Sequence, residues 1–117
     1  MAKRAGRTTS EKVAAYEVLA PQLTALQGEL RDLAKKRPDA TLSTSKVAFM
    51  NRLLADIKEL LKDEGASKYL DLLDDLAVPQ FSDAVLVVSQ YSAALDAFHS
   101  RYYGWDENHV KHGWLTS

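Results

Sequence analysis

The chain has 117 residues, a length that implies one domain with a real core. A hydrophobic fraction of 46% and a charged fraction of 26% exclude a wholly disordered protein, and the absence of cysteine excludes disulfide frameworks, thiolate zinc sites and cysteine nucleophiles. The formal net charge of -1 conceals a split: residues 1–52 sum to +5 and residues 53–117 to -6.

In chain order, residues 1–8 read as a flexible basic arm carrying Lys3, Arg4 and Arg7. No apolar core follows it, so it does not read as a signal peptide. Thr8 and Glu11 have capping-box spacing and predict a helix start. Tyr16, Leu19, Leu23, Leu26, Leu30 and Leu33 then recur at alternating steps of three and four, one apolar seam on a helix. Pro21 interrupts that seam, predicting a kink or break near Ala20. Lys35, Lys36 and Arg37 favour the negative end of the helix dipole, and Pro38 stops the helix.

A second helix is expected over about 46–64, with Val47, Met50, Leu54, Ile57 and Leu61 in line and Gly65 as its stop. A shorter one is expected over about 67–76, with Asp71, Asp74 and Asp75 on its polar side. Pro79 breaks the chain, and Ser82 or Asp83 caps a last helix ending at Gly104, with Ala84, Val88, Tyr91, Leu95, Phe98 and Tyr102 on one face. The expected fold is all-α: an up-and-down four-helix bundle over 9–104, followed by an irregular tail over 105–117.

Four features are candidates for function. Ser89, Ser92, Asp96, His99 and Tyr103 form a polar stripe on the last helix. Lying in one row, with Asp96 between Ser92 and His99, they do not make a triad, and a solvated face is the plainer reading. His109 and His112 near Asp106 and Glu107 have metal-ligand chemistry but no HExxH pattern, and no metal or cofactor is expected. Six of ten aromatics fall between Tyr91 and Trp114. Arg101, Tyr103, Trp105 and Trp114 are the expected partner contacts, being residue types enriched at binding hot spots. Trp114 in a polar tail implies docking, onto this molecule or another. The basic residues Lys3, Arg4, Arg7, Lys35, Lys36 and Arg37 are the expected nucleic-acid contacts in an alternative reading as a nucleic-acid accessory protein.

With no catalytic constellation in view, the leading expectation is a soluble, cytoplasmic, non-enzymatic helical module that acts by protein–protein contact, as a small subunit, adaptor or inhibitor-like partner. The leucine seam also leaves a second copy of the chain open as a partner. No membrane contact is expected.

Overall fold

A computed structural model describes residues 6–117. In chain order it contains helix α1 (Ser10–Lys36), helix α2 (Thr44–Leu60), a 3-10 turn (Gly65–Tyr69), helix α3 (Phe81–Tyr102), and strands β1 (Tyr103–Asp106) and β2 (Lys111–Trp114). The expected all-α four-helix bundle is therefore corrected to three α-helices and a two-stranded antiparallel hairpin among the described residues.

Helix α1 starts one residue later than the capping box implied. Thr9 is the N-cap, its hydroxyl accepting from the Lys12 amide at 3.2 Å. Thr8 is instead buried and bridged to Thr116 at the other end of the chain. Pro21 does not break the helix, which runs through it for 27 residues, about 40 Å. Pro21 sits on the outer face, so the Glu17 carbonyl it leaves unbonded is at an exposed residue. On either side of it, Leu19 and Leu23 enter the same core.

Helix α2 is capped by Ser43, which accepts from the Lys46 amide at 3.2 Å. Its buried line is Val47, Met50, Leu54, Ile57 and Leu60. It ends at Leu60 rather than near Gly65. Helix α3 supplies the largest fully buried side chains, Tyr91 and Phe98. Helix α1 lies mainly against α3 and more lightly against α2. At the far end, Leu42 donates to the Pro79 carbonyl at 3.0 Å and Phe81 to the Ala40 carbonyl at 2.8 Å, joining the two connecting loops.

The helix expected over 67–76 is absent. The 3-10 turn ends at Tyr69, Leu70 is extended, and the residues after it form no helix or strand before α3. Leu70 and Leu73 still enter the core. What replaces the helical hydrogen bonds is a set of side chains from the flanking helices. Asn51 Nδ2 donates to the Leu73 carbonyl at 2.9 Å, and the Leu73 amide donates to Asn51 Oδ1 at 2.8 Å. The Tyr91 hydroxyl donates to the Asp71 carbonyl at 2.8 Å, and Lys58 Nζ to that of Leu70. Asp74 Oδ1 then accepts from the amides of Leu76 (2.8 Å) and Ala77 (3.1 Å), a local turn that competes with helix. Those two amides hold the Asp74 carboxyl below its ordinary pKa.

The tail expected to be irregular is the hairpin. Tyr103 pairs with Trp114, Gly104 with Gly113, Trp105 with His112 and Asp106 with Lys111. Val110 closes the loop with φ 52°, an uncommon conformation for a β-branched residue. No helix among the described residues is long and apolar enough to cross a membrane.

Candidate interaction surfaces

Alternation along β1 sends Tyr103 and Trp105 to one face and Gly104 and Asp106 to the other. The register adds Trp114 and His112 to the Tyr103–Trp105 face. Trp114 is half-buried and packs edge-on against Tyr16 (5.1 Å between ring centroids), His99 (5.2 Å) and Tyr103 (5.5 Å), with Phe98 at 5.9 Å. It therefore docks onto α1 and α3 of its own chain. His99 stacks on Tyr103 at 4.7 Å. Beyond this packed cluster the aromatic face stays open: Tyr103 is 42% exposed and Trp105, edge-on to His112 at 5.5 Å, is 51% exposed. Arg101 does not join this face: two residues on from His99, it turns to the other side of α3, 3.6 Å from Glu64 and over the Tyr102 ring. The Tyr102 hydroxyl donates to Glu64 at 2.9 Å, and burial first, then Glu64, raises its pKa.

The opposite edge is a polar lock. Asp106 is only 2% exposed, yet both carboxylate oxygens are satisfied. Arg7 Nη2 donates to Oδ1 at 2.8 Å, the Asn108 amide to Oδ1 at 3.0 Å, and His109 Nδ1 to Oδ2 at 2.7 Å. The Arg7 guanidinium foremost, then His109, holds the Asp106 carboxyl well below the usual carboxylate range, against the opposing effect of burial. Arg7 also donates to the Thr116 carbonyl at 2.9 Å, and the Thr8 amide to that of Leu115 at 2.8 Å. Hydrogen bonds thus join residues 7 and 8 to the chain over 106–116.

The other candidates separate. In the polar stripe, Ser89 accepts from Gln27 at 3.3 Å, and His99 faces aromatic rings rather than a serine–carboxylate pair. His109 turns to Asp106 and His112 to Trp105, and no group of three or more metal-ligating side chains is placed to hold an ion among the described residues. Of the basic residues, Lys3 and Arg4 lie outside the described residues, Arg7 is bound to Asp106, and Lys35, Lys36 and Arg37 are exposed at the other end of α1. About 40 Å of helix separates Arg7 from that cluster, so they make no single basic patch.

One surface has no counterpart in the sequence reading. A groove runs between α1 and α2, floored by Leu19, Leu26 and Leu53. Phe49 and Val18 stand out of it at 65% and 61% exposure. Both lie one position off the seams that mark the core, and that offset is the only sequence signal for them. No protein-family model, curated protein or solved structure matches this chain.

Proposed function

We propose that the protein is a non-enzymatic helical module of the cytoplasm that works by holding another protein, with the aromatic face of the hairpin as its contact. The observation that carries this reading is the placement of Tyr103 and Trp105 on one face, half-exposed, of a hairpin whose Trp114, on that same face, docks onto α1 and α3 while Asp106 on the other face is held by Arg7. Tyrosine and tryptophan bring large contact areas with few rotatable bonds, the properties of binding hot spots. A hairpin held by the Trp114 ring and by the Arg7–Asp106 pair offers those rings with little ordering cost on association. The engagement of His99 with aromatic rings and of His109 with Asp106 also favours a packing role for these histidines over a catalytic one.

The test is capture of partners from native lysate on the immobilised chain, compared with Trp105→Ala and Tyr103→Ala. Both variants should lose the captured protein while keeping the wild-type circular dichroism. Capture unchanged in both would overturn the assignment of this face.

A further inference from the structure

We infer that the α1–α2 groove is covered by a second copy of this chain, packed antiparallel about a two-fold axis. The groove is a different surface from the aromatic face, so the two readings stand or fall separately. Its two ends differ in shape. At one end Phe49 projects outward, beside Leu26 and Met50. At the other, Ala14 and Ala15 leave a shallow, open depression of about 590 Å³ beside Val18, Leu19 and Leu60. A protrusion and a depression on one surface are what an isologous contact needs, because a two-fold axis places each against the other twice.

The spacing along α2 agrees. A two-fold axis lying in the interface at right angles to the helices, level with Leu54, puts Phe49 about 7.5 Å to one side. Leu60, which lines the depression, lies about 9 Å to the other side. The same operation sets Arg52 of one copy opposite Asp56 of its partner, again twice. Both side chains line the groove and are exposed, and neither makes an ion pair within the chain among the described residues. Opposite charges placed symmetrically about the centre fix register and exclude the parallel arrangement, which would set like charges face to face. The product is a four-helix contact built from two α1–α2 pairs, the architecture that one chain alone does not complete.

Light scattering after size exclusion, from micromolar to millimolar concentration, tests this. The wild type should have twice the 13.0 kDa chain mass. Phe49→Asp should return it to the single-chain mass with helix content unchanged. Arg52→Asp alone should weaken association at least tenfold, and Arg52→Asp combined with Asp56→Arg should restore it. A single-chain mass for the wild type at every concentration would overturn the inference, including when a different protein occupies the groove. So would a dimer that survives Phe49→Asp, or a charge swap that fails to restore association. Should Phe49→Asp fail to fold, the charge series decides alone, since both of its positions are exposed.

Discussion

Arg7 and Asp106 stand 99 residues apart in sequence and meet through a 2.8 Å hydrogen bond that joins the start of the described chain to its terminal hairpin. The carboxylate is almost wholly enclosed, so the pair acts as a clasp.

The clasp has an acid limit. A carboxyl whose folded pKa is depressed contributes stability that is complete above its unfolded value, about 3.9. That contribution is lost as pH falls through the folded value. Amide exchange at Thr8, Leu115 and Ser117 should therefore stay slow from neutral pH to below pH 4 and accelerate only in stronger acid. Asp106→Asn should make the same amides exchange faster at pH 7 and leave helix content intact.

Tyr91 gives the alkaline counterpart. Burial, with Asp71 adding to it, pushes its hydroxyl up to about 12. A raised tyrosine pKa means that the folded state favours the neutral form, so this stability is full below the unfolded value of about 10. It is lost as pH rises through about 12. Ultraviolet titration should show one tyrosine ionising only near pH 12. Tyr91→Phe should remove that late step and cost about 1 kcal/mol, the worth of one ordinary hydrogen bond.

Asn51 should be the most sensitive polar position. Its amide both donates to and accepts from the Leu73 backbone, so Asn51→Ala leaves two part-buried backbone groups unbonded. The expected loss is about 1–3 kcal/mol by urea unfolding, with faster proteolysis within 70–80 as the local signature.

The two tryptophans should separate cleanly. Trp114→Ala removes a ring packed against Tyr16, His99 and Phe98 and should cost about 2–3 kcal/mol, less than a fully enclosed ring. Trp105→Ala should change stability by no more than about 0.5 kcal/mol. Thermal melts of the two variants, run beside the capture assay, distinguish a structural ring from a contact ring.

The seams on α1, α2 and α3 were legible in the sequence because each is a local periodicity read against one core. Leu19, Leu54 and Phe98 fall where those seams put them. The chain between Gly65 and Gln80 was not legible, because its leucines have helical spacing while its hydrogen-bond partners lie on Asn51, Lys58 and Tyr91. The hairpin was hidden for a related reason: Gly104 and Gly113 weaken any strand pattern, and the loop lacks the Asn-Gly or Asp-Gly turn that signals one. The aromatic grouping at the C-terminal end was visible, but not which ring turns inward. That depends on Tyr16, almost a hundred residues earlier.

The irregular run over 70–73 has its path written mostly on other elements. Asn51, Lys58 and Tyr91 grip three backbone carbonyls, which every residue type offers, and the Leu73 amide, which every type except proline offers. Asp71 and Leu72 are therefore free to drift under mutation while the strap keeps its course, with Leu70 and Leu73 restrained by their burial. Constraint is displaced from the segment that bends to the helices that hold it, so a library randomised at 71 and 72 should yield mostly folded chains and one randomised at 51, 58 and 91 few.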